Sequence, residues 1–478
     1  MREYDLCVIG SGPAGQKAAV QASKLGKRVC VVERKEVVGG VAINTGTIPS
    51  KALREAIIYL TGFKFRGIMG DSHASQRHIT IEELTKWCQH VISHEINVTQ
   101  NQMQRNGIDI VHGTASIEND HLVHARHGSE ITAITADHIF ISTGTRPARP
   151  DNIPFDEEYI VDADGILRLT KLPRTLMVVG GGVIGTEYAS MMQALGIKVT
   201  LIESQTNLMG FLDPEIREAL QYHLRNIGMT LRLGEKVTRV ELIDPPAGAR
   251  ASSDKLVEAT LESGKTIRSE CLLYAIGRQG ATDALNLEAV GVSADSRGRI
   301  KVNNHYQVLR ESDGQPIEHI YAGGDVIGFP ALASTSMEQG RLASCHMFGI
   351  RTTSVPELFP YGIYAIPEIS TVGWNEQQLT EQDIPFETGI ANYREIARGQ
   401  LLGDQIGMLK LLIHQETRHI LGVHCIGTGA TEIIHIGQAV MALNGTVDYF
   451  VNTVFNYPTL AECYKVAALN CVNKLQHA

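Results

Sequence analysis

The sequence predicts an α/β chain in which two Rossmann-like dinucleotide-binding domains are followed by an α+β C-terminal domain. Three observations carry this. A strand, a glycine loop and an alanine-rich helix open the chain, the same succession returns near residue 175, and from Tyr361 onward the pattern changes to short strand-like runs followed by helices. With 478 residues several cores can form, and 43% hydrophobic residues, 20% charged residues and 46 glycines describe a globular protein rich in tight turns.

The first element runs from Asp5 to Ile9 as a short buried strand, followed by Gly10-Ser11-Gly12-Pro13-Ala14-Gly15 and a helix to about Leu25. In such a loop Gly10 makes the turn, Gly12 lets the backbone approach a pyrophosphate, and Gly15 packs helix on strand. The helix N-terminus then offers free N–H groups to the anion. A second strand, Arg28 to Val32, leads to Glu33, placed to accept from ribose hydroxyls.

The device recurs with the strand Leu176 to Val179, the loop Gly180-Gly181-Gly182-Val183-Ile184-Gly185, a helix, and Lys198 to Ile202 leading to Glu203. Both acids stand 18 positions after the third glycine of their loop. One glycine string is weak evidence, but two with matching strand, helix and acid imply two dinucleotides. A chain holding both most naturally pairs a retained flavin dinucleotide, FAD, with an exchanged nicotinamide dinucleotide, because hydride passes readily between those rings.

Three later strands end in glycine turns: residues 138–142 into Thr143-Gly144, Cys271 to Ile276 into Gly277-Arg278, and His319 to Ala322 into Gly323-Gly324-Asp325. Together they suit the returning half of an FAD domain (1–150 and 278–350) split by an inserted NAD(P) domain (151–277). Residues 351–478 would form the terminal domain, with strands over Gly362–Ile369, Met408–Ile413 and Leu421–Ile426 and helices over Ala430–Leu443 and Thr459–Leu475. The polar segment Ile243–Lys255 reads as a solvated connection.

A net charge of −9 without a basic run argues against nucleic acid. No apolar run is long enough to span a bilayer, and the N-terminus leaves no room for a secretory signal, so a cytoplasmic protein is expected. The 8 cysteines form no C-x-x-C pair or zinc-like spacing. They read as packing residues, as do His424 and His435, and no metal is expected.

With Gly39-Gly40, Pro49-Ser50-Lys51, Thr143-Gly144, Gly180 to Glu187, Gly323-Gly324-Asp325, and Pro458-Thr459 with Glu462, the chain resembles the pyridine nucleotide-disulfide oxidoreductases over essentially its whole length. The resemblance implies Lys51 near the flavin N5 and paired with Glu187, Asp325 and Thr47 at the FAD, and Gly277 at the nucleotide. It also implies a homodimer, or a higher homo-oligomer, with Tyr457 and Glu462 entering the other subunit's flavin site. Two departures stand out. The family's paired cysteines are here Ala42 and Thr47, and its histidine before the C-terminal proline is Tyr457, whose phenol is ill suited to proton shuttling near neutrality. The thiol relay and its acid–base partner are both missing.

Inside the family, Thr47-Ile48-Pro49-Ser50-Lys51, Phe455 to Thr459 and Gly323 to Pro330 are most similar to the members that exchange hydride between NADPH and NAD. The expectation is therefore ping-pong transfer through the flavin, with NAD(H) and NADP(H) as substrates. Glu203 favours NAD(H), since it would repel a 2′-phosphate and Ser204, Gln205 and Thr206 supply no base. An NAD(P)H:quinone or dye reductase, a non-catalytic flavin-binding redox sensor, and thiol reduction with other cysteines stay open at this point.

Overall fold

The computed structural model describes residues 2–62, 79–246, 253–352 and 358–477. The connection expected over Ile243–Lys255 lies partly outside them, at residues 247–252. The chain divides into two compact units, one of Met1–Ala52, Thr85–Ala148 and Gly277–Pro356, the other of Leu53–Leu84, Arg149–Ile276 and Glu357–Ala478.

The first unit is organised by a mixed sheet in the order Gln307–Leu309, Pro316–Ala322, Glu130–Ile141, Arg2–Ile9, Val29–Glu33 and Asp109–His112. From Pro316–Ala322 to Asp109–His112 every neighbouring pair is parallel. Such strands bury both faces, which is why they read as apolar runs without alternation. Leu6, Val8 and Val31 fill one core with the helix Pro13–Lys24, while Cys7, Ile9, Cys30 and Val32 fill the opposite one. The helix Ala333–Met347 crosses Pro13–Lys24 closely enough that a Cβ on Gly340 would stand 2.0 Å from the Ala14 carbonyl oxygen. The strand expected at 138–142 is longer, Glu130–Ile141, because its early part pairs antiparallel with Leu122–His127, which pairs in turn with Thr114–Asn119.

The second unit holds a parallel five-stranded sheet in the order Thr230–Leu233, Lys198–Glu203, Thr175–Val179, Cys271–Tyr274 and Ile160–Val161. Beside it in the sequence lies a three-stranded antiparallel sheet, Val237–Ile243, Leu256–Leu261 and Thr266–Ser269. The terminal part forms a second five-stranded sheet, antiparallel throughout, in the order Tyr361–Ile363, Ile369–Gly373, Ile420–Ile426, Met408–His414 and Phe386–Asn392. It is covered by the helices Ala430–Ala442 and Glu462–His477.

The single strand expected over Gly362–Ile369 is instead two strands of a hairpin whose tip is residues 364–368. Pro367 has no N–H to give a ladder, and it sits in that tip. His424 is buried, with Thr371 Oγ1 and the Trp374 carbonyl on its two ring nitrogens. His435 differs from expectation: it is exposed and pairs with Gln438 Oε1 at 2.8 Å, one turn on along its helix.

Lys410 ties the terminal sheet to the helix Pro214–Asn226. Its ammonium, 0% exposed, meets Asp213 Oδ1 at 2.9 Å, Glu215 Oε2 at 2.6 Å and Glu376 Oε1 at 2.6 Å. Burial opposes the charge, but the carboxylates outweigh it and hold the lysine pKa above its ordinary value.

Candidate active site

The first glycine loop forms because its geometry excludes other residues. Gly10 has φ of +102°, and a Cβ there would stand 2.5 Å from the Ser142 carbonyl oxygen. Gly15 packs so tightly on the strand that its Cβ would lie 2.0 Å from the Gly10 oxygen. Gly12, which caps the helix ahead of Pro13, behaves differently: its Cβ would meet nothing nearer than the Gly40 Cα at 4.0 Å. Pro13 has no N–H to leave unpaired, and the N–H groups that follow open toward that space.

Glu33, 6% exposed, closes the far side. Its Oε2 accepts from the Ser11 N–H at 3.0 Å and from the Ser11 hydroxyl, and its Oε1 accepts from the Lys35 N–H at 2.9 Å. A carboxylate offers about four acceptor directions, so one remains on Oε1 for a hydroxyl. Ser11 Oγ also accepts from the Gly39 N–H at 3.0 Å, drawing the Gly39-Gly40 turn onto the loop.

The turns after the returning strands bring in Thr145, Arg278 and Gln339, which the sequence pattern did not assign to a site. Arg278 Nε donates to Thr145 Oγ1 at 2.7 Å, and that hydroxyl donates to Asp325 Oδ2 at 3.2 Å. Gly324, at φ +81°, donates its N–H to Gln339 Oε1 at 2.8 Å. Gly144 is at φ +65°, and Gly277, at φ +79°, accepts from the Ala148 N–H through its carbonyl at 3.2 Å. Among the described residues, the buried Thr45 and Thr143 hydroxyl oxygens find no hydrogen-bond partner.

The second loop repeats the first almost atom for atom. Gly180 has φ of +109°, with the Ala275 oxygen 2.7 Å from a built Cβ, and the Cβ of Gly185 would stand 1.9 Å from the Gly180 oxygen. Gly182 caps the helix Val183–Ala194 and has nothing within 4 Å. Glu203 Oε2 accepts from the Gly181 N–H at 2.6 Å, while its Oε1 accepts from the Gln205 N–H at 2.8 Å and the Ser204 hydroxyl at 3.0 Å. One acceptor direction is left on Oε2.

Lys51 lies half-buried in the helix Thr47–Leu60, its ammonium 3.2 Å from Ser50 Oγ. Thr47 begins that helix and is exposed, and Ala42 is half-buried in the short helix Gly40–Asn44. Glu187 is 4% exposed and accepts from the Tyr364 N–H at 2.7 Å through Oε1, so it is not a surface carboxylate. Tyr457 is 73% exposed and precedes a cis proline, and Glu462 opens the last helix with a buried Oε2 that has no hydrogen-bond partner among the described residues.

All eight cysteines are buried and unpaired. Burial pushes the thiols of Cys463, Cys471 and Cys271 each up to about 12, which keeps them protonated and unreactive near neutral pH.

Comparison with known proteins decides the family. Residues 4–340 match the model of the pyridine nucleotide-disulphide oxidoreductases, and residues 359–468 match the dimerisation domain of the same family. The chain belongs to that family. It is 52% identical over 478 residues to a soluble pyridine nucleotide transhydrogenase of Mycobacterium tuberculosis (strain ATCC 25177 / H37Ra), covering 100% of this chain and 98% of the relative. It is 43% identical to the protein of the same name from Photobacterium profundum, covering 99% of this chain and 98% of that one. Among solved structures, the HOCl-induced flavoprotein disulfide reductase RclA of Escherichia coli superposes with a TM-score of 0.84 at 26% identity over 98% of this chain and 99% of that one. LpdA of M. tuberculosis shares the fold, with a TM-score of 0.86 at 23% identity over 98% and 99% of the two chains.

FAD and nicotinamide nucleotides are the cofactor and substrates of this oxidoreductase family. The residues present fit both. Each cradle is open where its second glycine would face a pyrophosphate, each keeps an acceptor free on its acid, and the Thr45 and Thr143 hydroxyls in the first unit are left for a polar ligand. No helix among the described residues is long and apolar enough to cross a membrane.

Proposed function

We propose that this chain exchanges hydride between NADPH and NAD through bound FAD, one nicotinamide nucleotide leaving before the next binds, with no redox disulfide. The observation that carries this is the pair of near-identical cradles in a chain whose disulfide positions hold Ala42 and Thr47. The names borne by the relatives from M. tuberculosis and P. profundum support the same substrates.

FAD, when bound, would supply a two-electron reservoir able to accept a hydride and to give it back. The protein's part is to hold and orient. In this reading segments 1–150 and 278–350 bind FAD, with Gly10, Gly12, Gly15, Glu33, Thr47, Lys51, Thr143, Gly144, Gly324 and Asp325 in contact with it. Segment 151–277 takes the nicotinamide nucleotide through Gly180, Gly182, Gly185, Glu203 and Gly277.

Lys51, paired with Glu187, provides a fixed positive charge where negative charge develops, and such preorganised charge acts strongly in a water-poor site. Glu203 holds a ribose hydroxyl and favours NAD(H) over NADP(H). Hydride exchange between nicotinamides needs no general acid or base, so Tyr457 in place of a histidine is no handicap. Residues 351–478 form the homodimer contact, and Tyr457 and Glu462 approach the partner's flavin site. The cytoplasm, where both nucleotides are available, is the place of action.

The test uses purified holoenzyme. Transfer from NADPH to the thionicotinamide analogue of NAD should far exceed turnover with quinones or dyes. Absence of that exchange, or a thiolate-to-flavin charge-transfer band on two-electron reduction, would overturn the assignment.

A further inference from the structure

Glu187 sits in the helix Val183–Ala194, and its carboxylate is held by a backbone group of a distant segment, the hairpin tip at residues 364–368. That tip is pinned along its length. The Tyr364 N–H donates to Glu187 Oε1 at 2.7 Å, and the Ala365 carbonyl accepts from Arg54 Nε at 3.1 Å. The Ile366 N–H donates to Ser190 Oγ at 3.0 Å, one turn beyond Glu187 on the same helix. At the far end the Glu368 carboxylate takes the Thr431 hydroxyl at 2.7 Å and the Gly429 N–H at the start of the helix Ala430–Ala442.

Ala365 and Ile366 are buried, as are Arg54 and Ser190. A buried polar backbone group keeps its partner because losing it leaves the desolvation penalty unanswered. Ser190 and Arg54 therefore fix where the Tyr364 N–H points. Arg54 follows Lys51 by one turn of the helix Thr47–Leu60, so a single hairpin tip engages both the helix bearing Lys51 and the helix bearing Glu187.

We infer that Arg54 and Ser190 are positioning residues for hydride transfer, acting through the Tyr364–Ile366 tip to set the Glu187 carboxylate. The inference rests on the role given to Glu187 above. Removing Ser190 Oγ frees the Ile366 N–H and lets the tip drift. Replacing Arg54 by lysine keeps the charge but withdraws the donor aimed at Ala365.

The experiment is a double-mutant cycle on the holoenzyme with Ser190→Ala, Arg54→Lys and Glu187→Ala, singly and in pairs with Glu187→Ala. Three quantities are read: the limiting rate constant of flavin bleaching by NADH in stopped flow, the NADH dissociation constant from its concentration dependence, and the midpoint potential of the bound flavin. Ser190→Ala and Arg54→Lys should each lower the limiting rate constant by about tenfold, with less than about a twofold change in NADH affinity. Each should also shift the flavin potential in the same direction as Glu187→Ala, and neither should add to the loss once Glu187 is alanine.

Thermal unfolding of the same proteins separates a folding defect, which would lower the midpoint without moving the potential and would count against the inference. Losses that multiply with that of Glu187→Ala would overturn the positioning role alone. Unchanged bleaching and potential in Glu187→Ala itself would overturn both that role and the reading of Glu187 beneath it.

Discussion

The two glycine cradles share one backbone and differ in how they are closed. In both, the first glycine rests on a carbonyl oxygen just past the neighbouring strand, Ser142 in one and Ala275 in the other, and the third lies on the first. The difference begins at the second loop position. Ser11 holds both Glu33 and the Gly39-Gly40 turn, whereas Gly181 has no side chain, and Gly182 stands exposed. The same fold can thus set a turn against one loop and leave the other without it, by a hydroxyl and the turn it recruits. This suits FAD as a retained group in the first and a nicotinamide nucleotide as a visitor in the second.

The strongest way to break the comparison is at the third glycines. Gly15→Ala would place a methyl 2.0 Å from the Gly10 oxygen, and Gly185→Ala one 1.9 Å from the Gly180 oxygen. Gly15→Ala should purify with little flavin absorbance. Gly185→Ala should keep its flavin and raise the NADH KM by at least about tenfold. A Gly185→Ala protein that lost flavin instead would reverse the assignment of the two cradles.

At the second glycines the built Cβ atoms meet nothing closer than 4.0 Å at φ values any residue adopts. Gly12→Ala and Gly182→Ala should therefore unfold no sooner than the parent, with up to about 1 kcal/mol of added stability from a stiffer unfolded chain. Gly12→Ala should nonetheless weaken FAD, and Gly182→Ala the nicotinamide nucleotide. Thermal unfolding together with nucleotide titration separates the two effects.

The acids sharpen the contrast. Glu33→Gln turns a buried acceptor of the Ser11 and Lys35 N–H groups into a partial donor, and should cost about 1–3 kcal/mol in thermal or denaturant unfolding. Glu203→Gln removes the charge that opposes a 2′-phosphate. The ratio of kcat/KM for NADPH over NADH should rise by about tenfold, equivalent to about 1.4 kcal/mol. The smallest effect is expected from Ser11→Gly, which gives the first loop the second loop's residue. It should weaken FAD by only a few fold, about 1 kcal/mol, measured by flavin release on dilution.

Much of this was legible in the sequence because it is local. A strand, three glycines at fixed spacing, a helix and a terminal acid can be read wherever backbone geometry excludes every other residue, as at Gly10 and Gly180. Both loops lie where that spacing places them. The hairpin tip was not legible: Gly362–Ile369 reads as one apolar strand, and only the pairing of Tyr361–Ile363 with Ile369–Gly373 shows the turn. Nor were Ser11, Thr145, Arg278, Arg54 and Ser190 legible as site residues, since each acts through a partner far away in the chain. Pro367 inside the apolar run was the one available signal for the turn.

By itself the sequence determined the two nucleotide loops, their acids, and the replacement of the family's cysteines by Ala42 and Thr47. Those follow from what a residue type can or cannot do: adopt a positive φ, accept from a ribose, form a disulfide. The tertiary structure alone decided that Glu187 is buried against the Tyr364 N–H and that Lys410 is enclosed by Asp213, Glu215 and Glu376. It also decided that the Gly39-Gly40 turn lies against the first loop, with the Gly40 Cα 4.0 Å from a Cβ built on Gly12, while nothing lies within 4 Å of one built on Gly182. Burial and long-range hydrogen bonds depend on which segments fold onto each other, and local residue spacing carries little of that information.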